Sequence, residues 1–318
     1  MVKSSKALAK EWPYELYTKF KKKMQANATA YFREKSLPVS ERYSYILPNK
    51  EMWRKNIICQ EVADYVLASK EEAHQRNKTY PLHGYIHHGL SSQALLFNLV
   101  GPLIVRNDLE PLRLACETRD IPWPEGRVTA LFEMEDKDVF SEQYLQPTSI
   151  DLVIRNEGED GGLFVESKFT ENEFGRCTVL VRGDCEGKNP AADPSSCYLH
   201  HIGRKYWTQM QEHGFLDGPL LTSPFCPLAN YYQFFREVLF AVHYGGYFVL
   251  LHDERNPVFY SRSEGLPDRG IYPMMTALLP ELLKERVKRI TFQEVFAEVR
   301  KSPIHEDWVD EFARKYAM

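Results

Sequence analysis

The stretch that decides the fold is residues 146–170, QPTSIDLVIRNEGEDGGLFVESKFT. A nearly continuous apolar run at 148–155 contains Asp151 and predicts a strand that is buried on both faces. The polar, Gly-rich segment 156–162 predicts a turn, and residues 163–169 predict a second strand. The stretch therefore predicts a β-hairpin.

Three ionisable side chains fall inside this hairpin. Side chains alternate along a strand, so Glu166 and Lys168 share one face, and Asp151 on the neighbouring strand can lie beside them. A buried charge is costly unless it is paired, so the group indicates a functional site. The structural alternative is an ordinary ion pair of Glu166 with Lys168 at a sheet edge, with Asp151 as a cap at the start of its strand.

The chemistry of these groups points to a metal and a phosphate. Two close carboxylates repel unless a cation lies between them, and their oxygen atoms suit Mg²⁺ or Mn²⁺. A nearby lysine could hold or deprotonate an attacking water while the metal neutralises charge on a phosphate, which is the division of labour that phosphodiester hydrolysis requires.

The segments around the hairpin predict an alternation of helices and strands. Residues 91–105 predict a helix with a Ser cap, and Val128–Glu135 predicts a strand before the hairpin. Residues 230–243 predict a buried amphipathic helix, and Tyr247–His252 a strand after it. The order is helix, three strands, helix, strand.

This order and the D…ESK hairpin resemble the PD-(D/E)XK, or restriction-endonuclease-like, nuclease superfamily. The segments SSQALLFNL and YYQFFRE also resemble a group of bacterial restriction-endonuclease-like proteins. The resemblance implies an α/β core of αβββαβ order, with a mixed central sheet flanked by helices. It covers roughly residues 85–255, and the Pro that often precedes the Asp is displaced here to Pro147.

The resemblance also implies roles for single residues. Asp151 and Glu166 would bind the catalytic Mg (or Mn), Lys168 would contact the nucleophilic water, and Gln233 would orient Lys168 or a phosphate. Arg236, close by on the same helix, could meet that phosphate, and the alternative for both helix residues is a solvated face.

One departure from the superfamily concerns a second metal. Many members carry a Glu on the first core helix, where this chain offers only Gln93 and Asn98. Glu133 or Glu135 on the next strand could substitute, and the number of catalytic metals is otherwise in doubt.

The remaining segments divide the chain into a core and two extensions. We expect a helical extension at 1–84, the nuclease core at 85–255 with a Cys-containing insertion at 171–229, and a helical C-terminal extension at 256–318. A separate specificity domain is the alternative for the N-terminal segment.

Charge and hydropathy restrict the partners. The net charge of −4 excludes a general polycation, so DNA binding needs a local basic surface. Candidates are residues 19–23 (KFKKK), Arg204 with Lys205, and residues 284–289 (KERVKR), each of which could also be a solvated helix face. No run reaches the length of a membrane span or a signal peptide, so we expect a cytoplasmic protein without a membrane partner, and it could form a homodimer.

Four of the six cysteines fall in the insertion. Cys177, Cys185, Cys197 and Cys226 lie in a Gly-, Asp- and Pro-rich interval, and a loop of that length needs a source of order. Four thiolates, or three with His200 or His201, could hold a structural Zn ion or an Fe-S cluster. Their spacing lacks a C-x-x-C pair, and reduced cysteines without metal are the alternative.

Histidines at 83, 87 and 88 precede the first core helix. Gly84 and Gly89 predict a loop there, which could approach a DNA backbone. Together these features predict a metal-dependent DNA endonuclease, in restriction or phage defence. The alternative in another class is a non-catalytic nucleic-acid-binding or interaction module that retains the nuclease fold. A third alternative is a hydrolase of small phosphorylated substrates. The sequence argues against it, because it contains neither of the Gly-rich phosphate-binding motifs G-x-x-x-x-G-K-[ST] and G-x-G-x-x-G.

Overall fold

A computed structural model describes residues 5–143, 147–156, 158 and 160–318. Gln146, Glu157 and Glu159 of the hairpin stretch lie outside the described residues. One five-stranded mixed sheet organises this part of the chain, in the order β1-β2-β3-β4-β5. The strands are β1 (Val128–Glu135), β2 (Ser149–Asn156), β3 (Leu163–Lys168), β4 (Tyr247–His252) and β5 (Val287–Thr291).

The hairpin sets the antiparallel half of the sheet. The strands β1, β2 and β3 pair antiparallel, whereas β3, β4 and β5 pair parallel. The catalytic candidates on β3 therefore lie on the strand where the sheet changes from one kind of pairing to the other. The glycine at position 162 makes the turn possible, because it has φ of +110° and a Cβ there would meet the carbonyl oxygen of Ile154.

Helices flank both faces of the sheet. The helices of the N-terminal half are α1 (Ser5–Lys10), α2 (Tyr17–Glu34), α3 (Gln60–Gln75), α4 (Ser92–Val105) and α5 (Glu110–Glu117). The insertion contributes α6 (Thr178–Val181), α7 (Tyr198–His201), α8 (Tyr206–Glu212) and α9 (Pro219–Thr222). The remaining helices are α10 (Pro227–His243), α11 (Ile271–Ala277), α12 (Glu281–Lys284), α13 (Phe292–Val299) and α14 (Glu306–Tyr316). Short 3₁₀ helices occur at Lys50–Asn56, Pro194–Ser196 and Pro303–His305.

Two apolar cores cover the sheet. Because side chains alternate along a strand, Val165 of β3 packs with α3 and α4, whereas Phe164 packs with α10. The first core also takes in apolar side chains of α2, α13 and α14, so these three helices share one core with the sheet. Helix α4 is apolar on nearly every face, as a helix enclosed between a sheet and other helices must be.

Most predicted elements around the hairpin are found within a residue or two. Ser91 caps α4 by accepting a hydrogen bond from the backbone N–H of Ala94 at 3.2 Å. Helix α10 begins earlier than expected, at Pro227, and is kinked at Tyr231, whose backbone is not helical.

The prediction of a helical C-terminal extension is wrong in one place. Residues 287–291 form β5, which adds to the parallel edge of the sheet beside β4. The strand is short, and its pattern of Val287 and Ile290 with basic residues between them is as compatible with a helix face as with a strand.

The insertion has more apolar content than its Gly- and Pro-rich beginning suggested. Its later residues Trp207, Met210, Phe215 and Leu220 are fully buried in the core that contains α10. Packing therefore supplies the order that this long segment needs. None of the described helices is both long and apolar enough to cross a membrane.

Candidate active site

Three carboxylates form a row across the antiparallel strands. The pairing of Leu152 with Val165 continues to place Asp151 opposite Glu166. The pairs on either side of Glu133, at positions 132 and 134 of β1, place Glu133 opposite Asp151. The row Glu133, Asp151, Glu166 is the central feature of the site.

The backbone at Glu133 is in an unusual conformation. Its φ of +55° lies in the left-handed region, which a side chain with a Cβ seldom adopts and which costs about 1–3 kcal/mol. Gln93 Nε2 of α4 donates to Glu133 Oε1 at 2.6 Å, and Ser149 Oγ donates to Oε2 at 2.8 Å. Strain of this kind, held in place by two hydrogen bonds, is typical of functional sites.

Asp151 is anchored to β3. Its Oδ2 accepts a hydrogen bond from the backbone N–H of Ser167 at 2.8 Å. Burial raises the pKa of Asp151 well above its ordinary range, and the charges of Glu166 and Glu133 raise it further. Burial likewise raises the pKa of Glu133 to about 8, against the hydrogen bonds from Gln93 and Ser149. Close carboxylates with raised pKa values form a site that favours a proton or a cation.

Lys168 closes a compact triangle with Glu166 and Gln233. Lys168 Nζ lies 2.7 Å from Glu166 Oε1 and donates to Gln233 Oε1 at 2.8 Å. Gln233 Nε2 donates to the same Glu166 oxygen at 2.6 Å. Burial alone would lower the pKa of Lys168, but the charge of Glu166 outweighs it, and the pKa is raised. Lys168 is therefore a fixed ammonium group in this arrangement.

Glu237 belongs to the same cluster, although the sequence analysis missed it. It lies one turn after Gln233 on α10, and its side chain is fully buried. Neither of its carboxylate oxygens has a hydrogen-bond partner among the described residues. Burial raises the pKa of Glu237 well above its ordinary range, and Glu166 adds to the effect. The sequence carries no clear signal for Glu237, because α10 also carries Gln233 and Arg236, and one more polar residue does not stand out among them.

Glu133 and Glu135, the two candidates to replace the Glu that many superfamily members carry on the first core helix, lie in different surroundings. Glu133 lies in the carboxylate row, and Gln93 of α4 touches it directly. Glu135 instead accepts a hydrogen bond from Thr79. Asn98 is directed elsewhere and donates to Tyr316 Oη at 2.8 Å. Of the two Glu residues that we considered, only Glu133 adjoins Asp151.

Arg236 contacts a tyrosine ring and a buried carboxylate. Its guanidinium lies over the Tyr232 ring at 4.9 Å, and its Nη1 is 4.0 Å from Glu142 Oε1. Glu142 itself is fixed by the backbone N–H of Thr148 at 2.6 Å, at the start of the hairpin. Arg236 thus contacts the entry to β2, and its role as a phosphate contact beside Gln233 stays a prediction.

The histidine segment is a loop, as its glycines predicted. His83 is held at the start of α4, where its backbone N–H donates to Gln93 Oε1 at 2.8 Å. Burial lowers the pKa of His83, and the charges of Glu171 and Lys168 also act on it. The charge of Glu166 acts on His83 as well, so His83 is close enough to the carboxylate row to be influenced by it. The rings of His87 and His88 pack together at 4.4 Å.

The four cysteines of the insertion converge on one small cavity of about 40 Å³. Cys185 Sγ accepts a hydrogen bond from the backbone N–H of Gly187 at 3.3 Å, and burial raises the pKa of Cys226 to about 12. Neither His200 nor His201 lines this cavity. Within the described ranges, no group of three or more His, Cys, Asp or Glu side chains is arranged to hold a metal ion. The Zn or Fe-S site through Cys177, Cys185, Cys197 and Cys226 remains a prediction.

Comparison with known proteins gives one match. A family model described as "Restriction Endonuclease associating with ARP" matches residues 16–317. Neither the curated proteins nor the solved structures contain a match to this chain.

Proposed function

Because this chain belongs to the family of restriction endonucleases associating with ARP, we propose that it is a metal-dependent DNA endonuclease that hydrolyses phosphodiester bonds. The observation that carries the proposal is the row of Glu133, Asp151 and Glu166, closed on one side by Lys168 and Gln233. The family name supports a nuclease, and the row of carboxylates supplies oxygen ligands for the metal ion that the proposed hydrolysis needs.

The mixed sheet with flanking helices supports the same proposal. We propose that helix α4, strands β1 to β3, helix α10 and strand β4 correspond to the αβββαβ core of the PD-(D/E)XK superfamily. Helix α5 stands between α4 and β1, the insertion lies between β3 and α10, and β5 extends the sheet. We assign these three features as additions to that core.

The oxygen donors of this cluster are of the type that a hard divalent cation such as Mg²⁺ prefers, and the described carboxylates would have to draw closer together to hold one. Glu166 Oε2 and both oxygens of Glu237 are buried and accept no hydrogen bond from a described residue. Carboxylate oxygens are the ligands that Mg²⁺ prefers. Asp151 and Glu166 would hold the ion, with Glu133 as a further carboxylate beside them. Such an ion would supply charge neutralisation at a phosphate and acidify a bound water.

The protein side chains perform the rest of the reaction. Lys168, fixed as an ammonium group by Glu166 and Gln233, donates a hydrogen bond to the attacking water or to a phosphate oxygen. The water oxygen forms a bond to phosphorus and loses a proton to solvent, while the bond to the leaving sugar oxygen breaks and that oxygen takes up a proton from solvent. The raised pKa of Lys168 favours positioning and charge stabilisation over a role as the base.

Plasmid cleavage tests the proposal. Purified protein with Mg²⁺ should nick or linearise plasmid DNA, and Asp151→Ala or Lys168→Ala should lower the rate by a factor of about 10²–10⁴. Asp160→Ala and Lys188→Ala, which change exposed residues of the same types, serve as matched controls. Equal rates in the site variants and the wild type would exclude this site, whereas DNA binding without cleavage would favour the non-catalytic module.

Proposals about biology and assembly follow from the family. Restriction or phage defence is the role that we propose, with DNA as the substrate and the cytoplasm as the location. A homodimer would allow the two strands of a duplex to be cut by two copies of the site.

A further inference from the structure

A second feature of the sheet is a large open cleft at the carboxyl ends of β4 and β5. Its volume is about 600 Å³. Strand residues His252 and Thr291 form its floor, and α2 contributes Phe20 and Lys23 to its wall. In open sheets with parallel strands, ligands commonly bind beyond the carboxyl ends of those strands.

The charge of this cleft is opposite to that of the whole chain. Its lining contains five cationic side chains and two carboxylates, in a protein whose net charge is −4. The cations are Lys23, Arg119, Arg255, Arg262 and Arg289, and the carboxylates are Glu15 and Glu254. Grouped cations of this kind attract an anion by their combined potential.

Two of the cations are free to meet a ligand. Arg119, Arg255 and Arg262 are engaged by carboxylates of the protein itself. Lys23 and Arg289 form no ion pair with any residue that the structure describes. Arg289 lies over the Tyr260 ring at 3.4 Å, a contact that fixes the guanidinium plane and leaves its N–H groups available.

These two cations come from different basic segments of the sequence. Lys23 ends the KFKKK run, and Arg289 ends the KERVKR run. Folding brings the two runs to one cleft although they are far apart in the chain. In the third candidate, Arg204 is buried and bonded to the backbone oxygen of Ser141, whereas Lys205 is exposed and stays a candidate.

The cleft adjoins the proposed active site through the sheet. Lys168 of β3 pairs with His252 of β4, which pairs in turn with Thr291 of β5. Neighbouring strands lie about 4.8 Å apart, so the floor of the cleft begins one strand away from Lys168. His252 is fully buried, and its Nε2 has no hydrogen-bond partner among the described residues.

We propose that this cleft binds backbone phosphates of the nucleic acid that flank the scissile phosphodiester, with Lys23 and Arg289 as the contacting cations. That the ligand is nucleic acid rests on the proposed function. A nucleic acid bound at Lys168 extends beyond that residue in both directions. The basic cleft begins one strand away and could hold the phosphates next to the one that is cut.

Salt-dependent DNA binding tests the inference. A labelled duplex of mixed sequence is titrated with full-length Asp151→Ala protein over a range of salt concentrations, with anisotropy as the readout. Each phosphate contact contributes about 0.9 to the slope of log Kd against log salt, so Lys23→Ala should lower the slope by about 0.9. Adding Arg289→Ala should lower it by about 1.8 in total.

Matched controls separate a local contact from a general loss of charge. Lys22→Ala changes an exposed lysine on the same helix, and Lys288→Ala changes a basic residue on the same strand, and neither residue lines the cleft. Both controls should leave the slope unchanged. Lys23 is exposed, so its variant keeps the test valid even if Arg289→Ala fails to fold.

Hydrolysis of bis(p-nitrophenyl) phosphate distinguishes failure of the cleft from failure of the function. This small diester should be cleaved at the same rate by wild type and by the Lys23→Ala, Arg289→Ala double variant. An unchanged salt slope in a folded double variant would overturn the inference, even if cleavage depends on Asp151. If these variants lower the salt slope but the wild-type protein cleaves neither DNA nor bis(p-nitrophenyl) phosphate, the cleft binds nucleic acid and the proposed nuclease function is wrong.

Discussion

At the scale of single residues, three charged side chains of the site could be identified from the sequence and a fourth could not. Asp151, Glu166 and Lys168 were recognisable because a buried strand has no ordinary use for them. Gln233 was expected only from the family resemblance, and its two hydrogen bonds to Lys168 and Glu166 give it a physical reason. Glu237 could not be recognised, because one acid on an amphipathic helix usually faces solvent.

The pKa of Glu133, raised to about 8, predicts how activity depends on pH. Metal binding needs ionised carboxylates, so at low Mg²⁺ the cleavage rate should rise with pH up to about 8. Higher Mg²⁺ competes with the proton and should move this rise to lower pH. Rates measured from pH 6 to 9 at two Mg²⁺ concentrations test this, and Glu133→Gln should alter the profile. A rise that does not move with Mg²⁺ would contradict the prediction.

Lys315 predicts a pH dependence of stability. It is buried and donates to the backbone oxygen of Asn56, and burial lowers its pKa to about 7. The unfolded chain therefore binds more protons than the folded one between pH 7 and about 10.4, and the free energy of unfolding rises with pH in that window. Lys315→Met should be more stable than wild type by roughly 1–4 kcal/mol at pH 6, with a smaller difference at pH 10. Urea unfolding at both pH values measures this, with Lys288→Met as the control.

At the scale of elements, the core strands were predictable because period-two and continuous apolar patterns are distinct over six to eight residues. Strand β5 was not, since five residues with two basic side chains fit a helix equally well. The order within the insertion also escaped prediction. Its buried residues Trp207 and Phe215 come after the Gly- and Pro-rich start. They pack in one core with α10, and such a tertiary contact cannot be read from the local sequence pattern.

The packing of α4 against α3 gives a prediction at this scale. A Cβ on Gly101 would overlap both γ carbons of Val62 on α3. Gly101→Ala should therefore destabilise the fold by about 1–3 kcal/mol, and adding Val62→Ala should recover part of that loss. Thermal or urea unfolding of both single variants and the double variant measures the coupling. Gly84→Ala, where a Cβ meets nothing within 4 Å, is the control, and purely additive effects would contradict the contact.

At the scale of the whole molecule, the two ends of the chain depend on each other. Asn27 of α2 donates to the Lys315 backbone oxygen at 2.7 Å, and Tyr31 donates to Glu311 at 2.7 Å. Tyr17 of α2 also reaches the end of β3, where it donates to the Thr170 oxygen at 2.7 Å. Helix α2 thus contacts both α14 and the end of β3, although the division into 1–84, 85–255 and 256–318 remains a prediction.

This dependence predicts one cooperative unfolding transition. Near-UV and far-UV circular dichroism should give coincident melting curves, because one apolar core includes residues of α2, β3 and α14. A chain that ends before Glu306 should fail to fold, whereas removal of residues 1–10, whose described members 5–10 are not part of that core, should shift the melting temperature by only a few degrees. A truncated chain that stays folded without α14 would contradict the shared core.

The link between Lys168 and Gln233 has a consequence for synthesis of the chain. The two residues are 65 positions apart, and translation adds about 5–20 residues per second. The hairpin that carries Asp151, Glu166 and Lys168 is thus made several seconds before the helix that carries Gln233. We expect a nascent chain to hold its carboxylates and Lys168 without the partner that fixes them, and to become competent to cut only after α10 has left the ribosome.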